Sequence, residues 1–487
     1  MQFTKPVAVI DIGSNSVRLV IYDGLKRSPA PLFNEKVLCG LGKDINKTGV
    51  LNKKGVLEAE EAIRRFVKLS KVMEVSKINI FATSAVRDAK DGNKFVSKLE
   101  NAYDIKISIF SGKQEAEYAC LGIISSVAYA QGVVGDLGGG SLELIGVKDE
   151  QICTSGESYP IGPLRTPENA NTKEELRQFI DSYIGKFPLQ ENLKDKSFYA
   201  VGGSFRNIAK VHMGRKNYPL KVIHNYTVPA EDLLNTLHIV ARMSDESLQK
   251  IPGISARRSD YLPYAALILE RIIKTGKPKD IVFAAFGVRE GLLFSQLTKY
   301  KKSEDALISG AIEMMGKIMR NPEYGYELAE WMSPLFKDET ESEKRLRLAA
   351  CIMSEISCYE NTEYRGELAY RKVMDSSLIG LNHQDRVFIA KTLYCRYSSF
   401  PDEQIVSTMQ PLLTQRSIHS AQVIGMAMRL ARNISGSHIG ILSETNLEIK
   451  RGKLILHMNE HDDLDGEAIQ KRLRQLAETI GLGAKMA

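Results

Sequence analysis

Along the first 300 residues, short apolar runs alternate with longer segments in which apolar residues return every three to four positions. The runs "PVAVIDIG", "VRLVIYD", "KINIFATSA", "IKISIF", "QGVVGDLG", "LELIGV", "SFYAVGG" and "DIVFAAFG" are short, β-branched and often closed by glycine, a pattern that predicts strands. Between them Ala59, Ile63, Phe66 and Val67 fall on one helical face, and "EELRQFIDSYIGKF" and "YLPYAALILERIIKTG" predict further helices. The expected class is α/β. After about residue 300 long helical patterns dominate, as in "EDALISGAIEMMGKIMR", "EKRLRLAACIMSEIS" and "QDRVFIAKTLYCRYSS". Near the end "NLEIKRGKLILHM" predicts a hairpin turning at Lys450-Arg451-Gly452, followed by a helix in "DGEAIQKRLRQLAETIG".

One internal repeat stands out. Shifted by 125 residues, "VIDIGSNSVRLVI" falls on "VGDLGGGSLELIG", so that Asp11 meets Asp136, Gly13 meets Gly138, Ser16 meets Ser141 and Leu19 meets Leu144. Each copy is an apolar strand ending in aspartate, a tight turn of small residues, and a second strand. No lysine follows the glycines of "GDLGGGS", which excludes a P-loop, and their spacing does not suit a dinucleotide fingerprint.

Composition narrows the classes. The chain is 43% hydrophobic and 26% charged, as ordinary globular proteins are. No run of 18 apolar residues suggests a membrane span, and the N-terminus enters a strand pattern without a leader-like segment, so a cytoplasmic protein is expected. The six cysteines show no Cys-x-x-Cys spacing and are expected to be reduced thiols. Charge is uneven: residues 1–300 carry 42 Lys and Arg against 33 Asp and Glu, whereas residues 301–487 carry 24 against 26. The positive excess favours an anionic partner near the glycine loops. It comes without helix-turn-helix, RNA-recognition or zinc-finger patterns, so no nucleic-acid partner is expected.

Successive glycines and serines present several backbone N–H groups to one point, an arrangement suited to phosphate. An aspartate at a strand end cannot itself hold phosphate, but it can hold Mg²⁺ that bridges to substrate phosphates. Two such hairpins facing each other would clamp a polyphosphorylated ligand. Other polar signals lie beside glycine turns. Glu115 sits near the start of a helix with Ser111 as candidate cap, and Arg87 follows a strand. Gly202-Gly203 mark a strand-to-helix transition suited to phosphate. Further on come Arg257, Arg258, Asp260, Arg289 and Glu290.

The set "DIGSNSVRLVIYD", "ATSAVRDAKDGNKF", "SGKQEAEYA", "GDLGGGSLELI", "SYPIGPLR", "AVGGSFRNIA", "ISARRSDYLP" and "FGVREGLL" resembles the exopolyphosphatase / guanosine pentaphosphate phosphohydrolase family over residues 7–295. That family lies within the actin–Hsp70–sugar kinase fold superfamily. The resemblance implies two duplicated actin-like (ribonuclease H-like) α/β domains, in residues 1–130 and 131–300, with the site in the cleft between them. It also implies a mainly helical HD-like domain in 301–400, and the hairpin and helix patterns beyond it predict a small α+β element in 401–487. Ser354-Glu355 stands where a His-Asp metal signature would be, so no second active site is expected.

Carried over residue by residue, the resemblance makes Glu115 the catalytic glutamate; Gln114 stands where the family usually has another glutamate. It puts Asp11, Asp136 and Glu143 on the metal side, with Mg²⁺ as the ion and Mn²⁺ as an alternative. Ser14, Asn15, Arg87, Gly138, Gly139, Gly140 and Ser141 become phosphate contacts, and Arg257 and Arg258 would line a groove for the distal chain. The implied activity is release of terminal phosphate from inorganic polyphosphate by a homodimeric enzyme, with Glu115 as general base. The alternative is conversion of guanosine pentaphosphate to the tetraphosphate, since both substrates present a terminal phosphoanhydride. An ATP-dependent kinase or chaperone of the same superfamily is a rival, but Phe205-Arg206 crowds the place of an adenosine pocket.

Overall fold

The computed structural model describes residues 4–43, 45–167, 172–185, 189–250, 261–316, 318, 321, 323–398, 407–458 and 466–487. The chain divides into two compact units, one ending at Ser303 and the other running from Glu304 to Ala487.

The first unit holds two sheets. Strands β1 (Val7–Ile12), β2 (Ser16–Tyr22), β3 (Pro31–Leu38), β4 (Lys77–Ala82) and β5 (Ser108–Ile109) form one, in the order β3-β2-β1-β4-β5. The other contains β6 (Gly132–Leu137), β7 (Leu142–Lys148), β8 (Gln151–Ile152), β9 (Glu157–Tyr159), β10 (Ser197–Val201), β11 (Tyr226–Pro229) and β12 (Asp280–Phe283). Its order is β11-β12-β10-β6-β7-β8, with β9 also on β7.

The repeat read from the sequence is a repeat of topology. In each sheet an Asp-ended strand pairs antiparallel with the strand after it and parallel with a later one: β1 with β2 and β4, β6 with β7 and β10. Register agrees too, Asp11 standing opposite Arg18 and Asp136 opposite Glu143. β1 and β6 are buried at every position except the fifth, which is the aspartate in both. Strands buried on both faces read as continuous apolar runs, which is why these two were visible in the sequence.

β3 was not visible, because it is an edge strand with half of its residues exposed and little alternation in "PLFNEKVL". The short β8, β9 and β11 escaped as well, and "IKISIF" pairs only over Ser108–Ile109.

Helices cover the sheets. Lys53–Val72 is capped by the Asn52 side chain and turns Ala59, Ile63, Phe66 and Val67 into the first core, as expected. Gly112–Ser126 begins with a capping box in which the Ser111 hydroxyl accepts from Gln114 N–H and the Gln114 side chain accepts from Ser111 N–H. Glutamine serves this box as well as glutamate would, so the departure at position 114 leaves the helix start intact. Helix Val288–Ser295 crosses Gly112–Ser126 at backbone contact: a Cβ on Gly291 would land on the Tyr118 carbonyl, and one on Gly122 on Gly287.

The second unit is mainly helical, with helices Ala306–Met315, Tyr324–Trp331, Glu341–Ile352, Arg365–Met374, His383–Tyr397, Gln415–Ser435 and Glu467–Thr479. A three-stranded sheet, β13 (Asn446–Lys450), β14 (Lys453–His457) and β15 (Gly483–Met486), completes it. The β13–β14 turn places Arg451 at φ 50° and Gly452 at φ 72°, the two-residue left-handed turn that suits hairpin twist. Ser354 is buried, and the Glu355 carboxylate is held by Arg396 at 3.1 Å and by Arg432 at 2.8 Å. No group of three or more His, Cys, Asp or Glu that could hold a metal ion occurs among the described residues. No helix among them is long and apolar enough to cross a membrane.

The Gly291–Tyr118 crossing generates a test. Gly291→Ala should lower stability by about 1–3 kcal/mol, the usual range for overpacking. Gly214→Ala, in a helix with open space at its Cβ, should be neutral or stabilising by up to about 1 kcal/mol. Urea unfolding of the two variants measures both.

Candidate active site

In both hairpins the turn is closed by the same hydrogen bond, Gly13 N–H to Ser16 O at 3.0 Å and Gly138 N–H to Ser141 O at 2.9 Å. This leaves Ser14-Asn15 and Gly139-Gly140 as the tips, and the tips meet. A Cβ on Gly139 would lie 3.3 Å from Ser14 Cβ and 3.7 Å from Asn15 Cβ, so a side chain at 139 would crowd the opposite hairpin. Around the junction opens a cleft of about 220 Å³, whose wall includes Asp11, Ser14, Asn15, Glu115, Asp136, Gly138 and Gly139. Gly202 and Gly203, also in the wall, begin helix Gly203–Arg215. Gly202, at φ 106°, packs on the end of β6: a Cβ there would strike the Leu137 carbonyl and lie 3.2 Å from Asp136 Oδ1.

The remaining expected residues sit just behind this wall. Gly140, Ser141 and Glu143 are buried, and the Glu143 carboxylate accepts from the Ser158 hydroxyl at 2.8 Å. Arg87, on the short helix Ser84–Asp88 after β4, donates from Nη1 to Glu115 Oε2 at 2.7 Å and to the Phe110 carbonyl at 2.8 Å. Its Nε donates to Asp88 at 3.2 Å, and Asp88 also pairs with Arg165. Arg257 and Arg258 lie outside the described residues, as does Asp260.

Several lining residues were not assigned to the site from the sequence. Arg18, Arg206 and Arg289 enter the cleft, and Ser84 Oγ meets Ser14 Oγ at 2.9 Å. Arg289 Nη1 stands 3.7 Å from Asp11 Oδ2, while Arg206 donates to the Ala285 carbonyl at 3.1 Å. Arg289 is backed by Glu290, whose carboxylate accepts from Tyr22 OH at 2.6 Å and from Gly287 N–H at 2.9 Å. A signal existed for Arg18: the 125-residue shift maps it onto Glu143, the partner position opposite the aspartate in the other copy.

These groups set a strained electrostatic balance. Burial pushes the Asp136 carboxyl up to about 6, with Asp11 adding to the rise against the pull of Arg206. Burial likewise raises Asp11, against Arg289. Glu143 is pushed up to about 7 by burial and then by Asp136. Glu115 is carried well above the usual range by burial and by Glu143, although Arg87 opposes this. Arg206 is lowered to about 10 by burial and by the facing guanidinium groups of Arg289 and Arg18.

Two half-buried aspartates, of which Asp11 raises Asp136, invite a cation, and their oxygen donors suit Mg²⁺ or Mn²⁺. No closed cage of three His, Cys, Asp or Glu occurs among the described residues. The donor set therefore fits an ion that draws its other ligands from water and substrate.

Two sheets of matched order around paired glycine hairpins form a duplicated actin-like fold. The same fold occurs in a crystal structure of an exopolyphosphatase from Cytophaga hutchinsonii, with TM-score 0.54, 22% identity, and coverage of 60% of this chain and 97% of that one. It occurs too in the Ppx/GppA family member from Aquifex aeolicus, with TM-score 0.52, 23% identity, and coverage of 62% and 99%. The pattern of the Ppx/GppA phosphatase family matches residues 6–300, and that described as "Exopolyphosphatase, C-terminal" matches residues 307–487. The chain belongs to the Ppx/GppA phosphatase family. Exopolyphosphatase 1 of Mycobacterium tuberculosis is 24% identical over 305 residues, covering 60% of this chain and 88% of that protein. A bifunctional 3-dehydroquinate synthase/phosphatase of Fusobacterium nucleatum is 27% identical over 286 residues, covering 55% and 43%.

The carboxylate coupling predicts a direct titration result. Glu143 raises Glu115 by like-charge repulsion, so Glu143→Gln should let Glu115 ionise at lower pH than in the native chain. Carboxyl bands in pH-difference infrared spectra read this; an unchanged or upward shift would contradict the coupling.

Proposed function

We propose that this chain is an exopolyphosphatase, releasing the terminal phosphate of inorganic polyphosphate. The observation that carries the reading is the meeting of two Asp-ended hairpin tips beside a buried glutamate held by arginine. Backbone N–H groups of the tips, with the hydroxyls of Ser14 and Ser141, receive the terminal phosphoryl oxygens. Glu115, once ionised, accepts the proton of the attacking water, and Arg87 keeps the carboxylate oriented. Mg²⁺ held by Asp11 and Asp136, with Glu143 behind them, would supply neutralisation of phosphate charge. The shortened chain leaves as a stable anion and needs no general acid. We place the enzyme in the cytoplasm as a homodimer.

Guanosine pentaphosphate is the second reading, because it offers the same terminal phosphoanhydride and the family description spans both names. The charge balance of residues 1–300 supports the longer polyanion.

Phosphate release from a panel of polyphosphate lengths, guanosine pentaphosphate and ATP, at matched Mg²⁺, tests the reading. Polyphosphate should be turned over fastest; preference for the guanosine compound would replace the first reading by the second, and tight ATP binding with both inert would overturn both. Glu115→Ala should lose at least about two orders of magnitude in kcat. In the native enzyme kcat/KM should fall as pH drops below neutrality, because a carboxyl with a raised pKa takes up its proton there and stops acting as base.

A further inference from the structure

The segment "SYPIGPLR" has no role in the chemistry so far, yet it is pressed against the second hairpin. Leu164 N–H donates to Gly139 O at 2.8 Å, and Gly162 lies so flat on Gly140 and Ser141 that a Cβ would strike their backbone. This brings Arg165, at the end of a short 3₁₀ turn, to the back of the tip. A Cβ built on Gly140 would be 2.8 Å from Ser84 Oγ, 3.2 Å from Ser14 Oγ and 3.3 Å from Arg165 Nε. Three polar groups from three separate segments thus surround one point that only a glycine leaves open. Arg165 Nε is buried and has no hydrogen-bond partner among the described residues, although its Nη2 is held by Asp88. A buried guanidinium donor is normally satisfied, so an unpaired one beside a polar cradle calls for an explanation, which an acceptor placed in that cradle would supply.

We propose that Arg165 is a further catalytic residue whose Nε–H donates to an oxygen of the terminal phosphoryl group, and that Asp88 is a positioning residue for it. This rests on the phosphohydrolase reading above. Asp88 uses one oxygen for Arg87 Nε and the other for Arg165 Nη2, so one carboxylate sets two guanidinium groups around the reacting phosphorus. In the step itself the water oxygen bonds to the terminal phosphorus and the bridging P–O bond breaks. The water proton passes to Glu115, and the electron pair leaves with the shortened chain. Negative charge on the peripheral oxygens faces Arg165, where a fixed donor in a desolvated site has most effect. Lysine could not replace it, because one ammonium cannot both pair with Asp88 and present a planar N–H to the cradle.

The test joins turnover to binding of orthovanadate, a phosphoryl mimic, followed by calorimetry. Arg165→Ala should lower kcat by about 10²–10³, with a smaller change in KM, and should weaken vanadate binding. Added guanidinium ion should restore part of the loss, which it would not do for a structural defect. Arg165→Lys should remain impaired, and Asp88→Asn should fall between it and the native enzyme. Unchanged kcat and vanadate affinity in a folded Arg165→Ala, or a loss that guanidinium does not relieve, would overturn the proposal. Were the native chain to hydrolyse none of the panel yet bind vanadate through Arg165, the function would fall and the phosphoryl contact would stand.

Discussion

The site depends on how closely two pieces of backbone approach each other. Ser14-Asn15 and Gly139-Gly140 belong to hairpins 125 residues apart, and they meet so closely that a Cβ at position 139 would crowd Leu164 and Ser14. A second backbone, at Gly162, lies on the far side of the same tip. The three consecutive glycines are therefore used differently. Gly138 closes the turn, Gly139 allows the two halves to touch, and Gly140 leaves a pocket among hydroxyls and a guanidinium. Glycine costs conformational entropy on folding; Gly139 and Gly140 each answer a steric demand, whereas a Cβ at Gly138 would meet only Ser141 O at 3.5 Å.

Electrostatics follow from that approach. Bringing the tips together brings their strand-end aspartates into one desolvated space, with Glu143 and Glu115 behind. The chain sets Arg18, Arg87, Arg206 and Arg289 among these carboxylates, yet Asp136 and Glu143 still stay raised. Such a site is stable only at a compromise, and on the proposed function a bound cation with a polyanion would relieve both halves of it at once. Remote contacts hold the arrangement: Tyr22 and Gly287 fix Glu290 behind Arg289, and the glycine crossing at Gly291 seats the Glu115 helix.

Legibility in the sequence followed burial and repetition. β1, β6 and the Lys53–Val72 helix carry apolar patterns dictated by two-sided or one-sided burial, and their periods were plain. The paired aspartates were found because the duplication repeats them. Arg165 and Ser84 were not assigned, since each acts through neighbours distant in sequence, and no local spacing encodes a meeting of residues 84, 140 and 165. Arg206 was read as an obstacle to a purine, while in the fold it reaches the cleft beside Asp136. Edge strand β3 was missed because half of it faces water.

The duplication is broken at one register position. Opposite the strand-end aspartate the first hairpin carries Arg18 and the second carries Glu143. Two identical jaws would present the same charges from both sides. Opposite charges at equivalent places instead give the cleft an axis, with a cationic jaw and an acidic one. On the phosphohydrolase reading, a terminal phosphoryl group bound there would meet a different charge on each side.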